Sequence, residues 1–241
     1  MSVAQTPAAT RAELAALPLE VAPRLLGGTL HTEVDGEAVS VRLTEVEAYH
    51  GQGTGPTADP GSHARMGPTA RNATMWGEPG HLYVYLSHGI HSCVNVVCGP
   101  AGVAGGVLLR AGEVVDGVDA ATHRRRAAQR PRDLARGPGR LGEAVGLRHP
   151  VHDGIDAITG AARAGAVARL ELPVEPLGGI ASGPRVGVAG VAGTAAFPWR
   201  FWIEGDATVS AFRWGRDAGQ LAEGVTPDPA RSKATRRRML D

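Results

Sequence analysis

Two carboxylates and a tyrosine follow an apolar stretch that has the spacing of a strand. Three apolar residues alternate there with polar or small ones: Val39, Val41 and Leu43. Continuing with period two predicts that Glu45, Glu47 and Tyr49 project to that same face. Two interpretations stay open at this point. Either the strand leaves the core and both glutamates are solvated, or Glu47 lies at the rim of a pocket, where a partly desolvated carboxylate can act as a base.

The two remaining tyrosines fall in one short segment. Tyr83 and Tyr85 lie two residues apart in LYVYL, on one face of a predicted strand. The chain holds only three tyrosines, and all of them lie close to the candidate site elements. Aromatic side chains are favoured in hairpin packing, and they also form stacking slots for flat ligands. Both interpretations stay open.

Three further polar residues stand alone in their segments. Asn95 falls within an apolar strand, where a buried amide needs hydrogen-bond partners in the protein or on a ligand. His63 lies in a long loop, and Arg110 ends the apolar run VLLR. Each of these two is interpreted either as a solvated residue or as part of a site.

A basic segment lies in the middle of the chain. Residues 122–148 contain eight arginines against Asp133 and Glu143. This pattern is typical of a surface that contacts phosphate, although a solvated helix face has the same composition. The sequence contains no GxxxxGK[ST] loop and no zinc, EF-hand or Cys-His signature. Metal-dependent and nucleotide-hydrolysing functions therefore have no support, and we expect neither a metal nor a cofactor.

The elements that must position these residues are mixed in type. A capping box at Thr10-x-x-Glu13 predicts a short helix through Leu17, and further helices are predicted over 19–26, 116–130 and 137–147. Strands are predicted over 38–49, 82–86, 93–98 and 106–114, and near 167–172, 185–189, 199–204 and 207–213. The link SHGIHS makes a hairpin of the second and third strands, and residues 51–80, with eleven Gly or Pro, form a long loop. We expect one α+β domain over 16–225 between flexible tails at 1–15 and 226–241.

The composition limits the class of protein. Of 241 residues, 43% are hydrophobic, and the formal net charge is only +1, which argues against disorder and against a strongly basic coat. Cys93 and Cys98 are too few for a disulfide scaffold and are interpreted as packing residues. The sequence has neither a signal peptide nor an apolar run long enough to span a membrane, so we expect a cytoplasmic protein.

Several of these segments together resemble the alkyladenine (3-methyladenine) DNA glycosylases of the mammalian type. The matching blocks occur in the family's order: TEVEAY (44–49), SHAR (62–65), PTARN (68–72), PGHLYVYLSHGIHSCVNVV (79–97), VLLRAGEV (107–114), GPGRL (137–141) and RVGV (185–188). The resemblance implies a single mixed domain with a curved antiparallel sheet, surrounding short helices and a β-hairpin that protrudes into the DNA minor groove.

The resemblance also implies a function and a role for each matching residue. Such an enzyme is a monofunctional base-excision-repair glycosylase that flips a damaged purine from duplex DNA and hydrolyses its N-glycosidic bond. The implied catalytic residues are Glu47, the general base, and Arg110, beside the water and the target phosphate. The implied base-binding residues are Tyr49, His63 and Tyr85, which sandwich the base, and Asn95, which disfavours the exocyclic amine of guanine. The implied DNA contacts are His88, Ile90, His91, Leu108 and Arg140.

One position departs from the family. At the hairpin tip the family has a tyrosine that fills the gap left by the flipped nucleotide, and this sequence has His88. Histidine is planar but smaller, and the neighbouring Ile90 could act as an apolar wedge. The identity of the residue that fills the gap is therefore open.

Elementary chemistry agrees with the implied function. A cationic alkylated purine is a good leaving group, so one carboxylate can suffice, with Glu45 as a structural neighbour. The only lysine, Lys233, lies in the C-terminal tail, which disfavours Schiff-base lyase chemistry. We therefore expect a monomer, nucleoid-associated, that acts on damaged purines in double-stranded DNA. A non-catalytic binder of distorted DNA and a small-molecule hydrolase are the alternative hypotheses.

Overall fold

The computed structural model of the chain describes residues 7–53 and 57–224. The strands in this part of the chain are β1 (Thr29–Val34), β2 (Glu37–His50), β3 (His81–Ser87), β4 (His91–Val97), β5 (Gly105–Asp116), β6 (Ala135–Arg136), β7 (Ile155–Asp156), β8 (Ala166–Glu171), β9 (Ile180–Gly183) and β10 (Arg200–Ile203). The helices are α1 (Arg11–Leu14), α2 (Pro18–Leu25), α3 (Val118–Arg124), α4 (Pro138–Ala144) and α5 (Ala218–Ala222).

The strands form one curled antiparallel sheet, in the order β7-β3-β4-β5-β2-β1-β8. The long strand β2 is its centre. One edge of β2 pairs with β5 along most of its length, while the other edge pairs first with β1 and then, at residues 45–47, with β10. Helix α2 packs on β2, and α4 packs on β4 and β5. The predicted α+β class with a curved antiparallel sheet and short helices is confirmed.

A β-bulge in β2 corrects the predicted orientation of the glutamates. Leu43 pairs with Gly112 and Glu45 with Ala111, so Thr44 is an extra residue with no partner on β5. Before the bulge, the core positions are odd, as at Leu43, but after it they are even: Val46 and Ala48. The prediction that Glu45, Glu47 and Tyr49 share the face of Val39, Val41 and Leu43 is therefore wrong, because the strand changes face between them.

The turn between β3 and β4 leaves its tip exposed. His88 and Gly89 both have positive φ angles, 50° and 70°, and the Ile90 N–H donates to the Ser87 carbonyl oxygen at 3.0 Å. His88 adopts this left-handed region although it carries a Cβ, and Ile90 is 72% exposed. The hairpin predicted from SHGIHS is thus present.

Other predicted elements differ from the structure. Residues 185–189 and 207–213 are not strands, because the Val186 and Ser210 N–H groups donate to the carboxylates of Glu47 and Glu45 rather than to a neighbouring strand. Helix α3 ends at Arg124, because the backbone of Arg125 leaves the helical conformation, and so is shorter than predicted. Strand β9 was not predicted.

The N-terminal boundary also differs from the predicted one. Within the predicted tail 1–15, the Ala9 N–H donates to the Leu170 carbonyl oxygen at 2.8 Å and Leu14 is fully buried. The capping box of Thr10 and Glu13 forms as predicted and begins α1. Contact with the sheet therefore begins before residue 16, whereas residues 225–241, which include the predicted C-terminal tail, lie outside the described residues.

Candidate active site

The carboxylate of Glu47 is fully buried and is held from three directions. Its Oε1 accepts a hydrogen bond from the Val186 N–H at 2.6 Å, and its Oε2 accepts one from the Tyr49 hydroxyl at 2.8 Å. The Arg110 Nη1 lies 3.4 Å from Oε2. The three partners all line one large cleft, so the carboxylate lies directly beneath the cleft surface.

Glu45 binds the guanidinium groups of Arg110 and Arg200. Its Oε1 accepts from Arg110 Nε at 3.0 Å and from Arg200 Nε at 2.7 Å, and its Oε2 accepts from the Ser210 N–H at 2.7 Å. Burial opposes ionisation of this carboxyl, but the charges of Arg110 and Arg200 outweigh it and lower the pKa of Glu45. Glu45 is therefore an ionised structural group and not a proton donor.

Arg110 is buried between the two carboxylates rather than emerging into solvent. Burial disfavours its charge, yet Glu47 and Glu45 outweigh that cost and raise the pKa of the guanidinium. Like Thr44, Arg110 is an extra residue in the β2–β5 ladder, since Val46 pairs with Leu109 and Glu45 with Ala111. Bulges on both strands thus direct these charged side chains to one place.

A buried ion pair supports Tyr49 from behind. The guanidinium of Arg185 makes two hydrogen bonds of 2.8 Å to the Asp59 carboxylate, and both side chains are fully buried. The Arg185 Cζ lies 4.5 Å from the centre of the Tyr49 ring. Burial, reinforced by Glu47, raises the pKa of the Tyr49 hydroxyl well above its ordinary value, so the hydroxyl stays protonated and donates to Glu47.

Three further aromatic rings line the cleft. The His63 ring stands edge-on to the Tyr85 ring, with centroids 4.5 Å apart, and Tyr85 stacks on Tyr83 at 5.5 Å. His63 keeps an exposed surface, but desolvation by the cleft walls, reinforced by Arg71 and Arg65, lowers its pKa, so the imidazole is neutral at pH 7. Tyr83 is almost completely buried behind Tyr85, and burial raises its pKa to about 12.

Leu108 and Asn95 also line the cleft. Leu108 pairs with Glu47 on one side and with Asn95 on the other, which brings the side chains of three strands together. Asn95 is 6% exposed, and its Nδ2 donates to the Tyr83 carbonyl oxygen at 3.0 Å. Within the described residues no donor bonds to its Oδ1, and the residue lines the cleft.

The cleft itself has a volume of about 1640 Å³. Of the predicted site residues, nine line it: Tyr49, His63, Tyr85, His88, His91, Asn95, Leu108, Arg110 and Arg140. Ile90 lies at the exposed hairpin tip, outside the cleft wall. The described lining residues include eight arginines and two acidic residues. The arrangement suits a polyanionic ligand with a planar group.

Only four of the eight arginines in the basic segment 122–148 line the main cleft. Arg124 and Arg148 lie at a separate small cavity and bond to Glu37 and Asp35. Four other arginines line the main cleft: Arg125, Arg130, Arg136 and Arg140. Arg125 is tied to Glu143 at 2.6 Å, whereas Arg140 is exposed. Only part of the segment is thus free to contact a phosphate.

Comparison with known proteins identifies the family. The sequence model of the family Methylpurine-DNA glycosylase (MPG) matches residues 12–207. The chain belongs to this family. The predicted family is thereby confirmed, and the chain is an enzyme of the repair of alkylated purines in DNA.

Similar bacterial proteins cover most of the chain. A protein of Leifsonia xyli is 50% identical over 199 residues, which are 81% of this chain and 88% of that protein. A protein of Nocardia farcinica is 51% identical over 203 residues, 83% and 90% of the two chains. A protein of Streptomyces avermitilis is 45% identical over 204 residues, 85% and 91%. All three carry the name "Putative 3-methyladenine DNA glycosylase".

Sequence reasoning missed several residues of the enzyme's site. Asp59 stands alone in a Gly/Pro-rich loop, and its partner Arg185 lies 126 positions away. Val186 and Ser210 contribute backbone N–H groups, for which side-chain motifs give no signal. Cys93 and Cys98 are buried and form no disulfide bond, which agrees with packing roles.

Neither a metal-binding cluster nor a membrane-spanning helix occurs among the described residues. No three His, Cys, Asp or Glu side chains there lie close enough together to hold a metal ion. No helix in that part of the chain is long and apolar enough to cross a bilayer.

Proposed function

We propose that the enzyme flips an alkylated purine, such as 3-methyladenine, into the cleft and hydrolyses its N-glycosidic bond with a water activated by Glu47. The position of the Glu47 carboxylate, fixed by Val186 and Tyr49 beside Arg110, is the observation that carries the proposal. A fixed anion at this place stabilises the oxocarbenium-like charge that develops on the sugar, and it accepts a proton from the attacking water.

A single carboxylate does this chemistry in our proposal. Glu45 cannot act as an acid, because its two arginine partners keep it ionised. A cationic alkylated purine needs no protonation to leave, so the site needs no second carboxylic acid. Water is the nucleophile, and we expect a monofunctional reaction that leaves an intact abasic strand.

The aromatic walls hold the flipped base. Tyr49 on one side, and His63 with Tyr85 on the other, offer planar surfaces to a purine, and stacking of this kind contributes about 1–3 kcal/mol per base. That gain offsets part of the cost of unstacking, which is a few kcal/mol. The Asn95 Oδ1 then faces the purine edge, where it disfavours guanine.

The test is single-turnover base release from duplex DNA that contains one 3-methyladenine, 7-methylguanine, ethenoadenine or hypoxanthine. We expect Glu47→Gln to lower the rate by about a hundredfold or more, the usual range for a general base. The matched control is Glu113→Gln on β5, whose side chain is 51% exposed and pairs with Arg42; it should release base as the wild type does. Equal rates for Glu47→Gln and wild type would refute the role of Glu47.

A further inference from the structure

An exposed aromatic pair lies at the edge of the cleft, outside the residues discussed so far. Phe212 and Trp214 are 37% and 45% exposed, and their rings meet edge-to-face with centroids 4.8 Å apart. Trp214 and Arg213 line the cleft. Exposed large aromatic side chains beside a functional cleft are characteristic of ligand contacts.

The backbone holds this segment in place. The Gly187 N–H donates to the Arg213 carbonyl oxygen at 2.9 Å, and the Gly190 N–H donates to that of Arg216, also at 2.9 Å. At Gly215 a Cβ would lie 2.0 Å from the Val188 carbonyl oxygen, so only glycine permits this close approach. Trp214 is therefore exposed on a fixed segment rather than on a free loop.

The same contacts connect the segment to the two buried carboxylates, Glu45 and Glu47. Val186 and Gly187 are adjacent, and their N–H groups bond to Glu47 and to the Arg213 carbonyl oxygen respectively. Ser210, at the start of the segment, donates its N–H to Glu45. Arg213 is thus hydrogen-bonded to Gly187, the residue that follows the N–H donor of Glu47.

The chemistry of the segment suits one ligand. Arg213 has no acidic partner among the residues that the structure describes, and it adds to the positive charge of the cleft. A guanidinium next to a flat aromatic ring binds a phosphate and the base attached to it. Paired bases inside a duplex do not present their faces, so a base that stacks on Trp214 must be unpaired.

We propose that Arg213 and Trp214, supported by Phe212, bind an unpaired nucleotide next to the lesion, the base on the Trp214 ring and the phosphate on Arg213. The inference rests on the proposed function, since it assumes that DNA occupies the cleft. It adds a contact to partly unpaired DNA on the side of the cleft formed by residues 186–189 and 210–214.

The test compares two single-stranded probes that have equal charge, a ten-residue oligothymidylate and a ten-residue abasic oligomer. We expect the wild type to bind the thymidylate about tenfold tighter by fluorescence anisotropy, and Trp214→Ala to lose this preference. Arg213→Gln should weaken binding of both probes and lower the salt dependence by about one phosphate contact. Leu221→Ala, which removes a similarly exposed apolar side chain on α5, is the control and should keep the preference.

Trp214→Phe provides a conservative second variant. It should retain part of the preference, while the quenching of tryptophan emission by thymidylate disappears. Equal binding of both probes by the wild type, or the same preference in wild type and Trp214→Ala, would overturn the proposal. Glu47→Gln separates the two proposals: it should bind thymidylate normally, so a failure of catalysis by Glu47 and a failure of stacking on Trp214 give different results.

Discussion

Glu45 and Glu47 are two residues apart on one strand, and their partners give them different properties. Glu45 accepts from two guanidinium groups and from Ser210, whereas Glu47 accepts from a backbone N–H and a phenol. The buried charge of Glu45 is therefore balanced by the two guanidinium groups. Glu47 has two neutral donors and one guanidinium, that of Arg110 at 3.4 Å, so its charge is less completely paired.

Glu45→Gln should destabilise the enzyme by about 3–5 kcal/mol at neutral pH, because two buried guanidinium groups lose their counter-charge. In the folded state the pKa of Glu45 lies below its ordinary value of 4.5, so its contribution is fully present above pH 4.5 and is lost as the pH falls through the folded pKa. Urea unfolding at a series of pH values measures both effects. Glu113→Gln, at an exposed pair, should change stability by about 0–1 kcal/mol; a similar small change for Glu45→Gln would contradict the prediction.

At the scale of elements, the loop after β2 is held by one ion pair. The Asp59 Oδ2 also accepts the His50 N–H at 3.1 Å, and its Oδ1 accepts the Gly61 N–H at 2.9 Å. Asp59 thereby joins the loop that carries His63 to Arg185, which precedes the N–H that orients Glu47. One buried pair positions both walls of the cleft.

Asp59→Asn should therefore lower the free energy of unfolding by about 3–5 kcal/mol and slow base release as well. Thermal unfolding and single-turnover excision are the measurements. The matched control is Asp35→Asn, because the Asp35–Arg148 pair has the same chemistry but is 71% and 68% exposed. Its loss should cost about 0–1 kcal/mol. If the two variants were equally stable, Asp59 would not hold the loop.

The exposed tip of the β3–β4 hairpin makes a separate prediction. His88→Ala should weaken binding to lesion-containing duplex more than binding to the same lesion in a single strand, because only the duplex has a gap to fill. Anisotropy with both substrates measures this difference. The variant keeps Gly89, the neighbouring turn residue with positive φ, so that the hairpin turn is preserved. An equal loss on both substrates would mean that His88 does not fill the gap.

The sequence predicted the elements that have local patterns. Alternation identified β2, an apolar run identified β5, turn residues identified the hairpin, and the capping box identified α1. The segments around Arg185 and Ser210 could not be predicted, because their conformation depends on bonds to residues more than a hundred positions away. The face of Glu47 was predicted wrongly because the prediction continued the odd-numbered alternation past Leu43, although the apolar residues Val46 and Ala48 mark the change of phase in the sequence.

At the scale of the whole molecule, a net charge of +1 conceals a separation of charge. Several acidic residues are bound in pairs away from the cleft, as at Glu37 and Asp35, while the cleft is rich in arginine. Affinity for DNA should therefore depend on salt far more than the net charge indicates.

Arg140→Gln should reduce the slope of log affinity against log salt concentration by about 0.9, the value for one phosphate contact on duplex DNA. Titrations of a lesion duplex at several salt concentrations give the slope. Arg148→Gln serves as the control, since Arg148 is 68% exposed but lies at the second cavity. The same slope in both variants and in the wild type would exclude Arg140 from the DNA contacts.

The bulge at Thr44 determines which residues of β2 face the core and which face the cleft. A strand that kept its alternation would send Glu45 and Glu47 into the hydrocarbon interior and turn Val46 and Ala48 toward the cleft. One inserted residue exchanges inside and outside for everything that follows it. The bulge takes up Thr44, so Val46 and Ala48 lie in the core and both glutamates point to the cleft, as they would in an unbroken strand that lacked this residue. As long as the chain carries Thr44, Glu47 is oriented toward the site only because of the bulge.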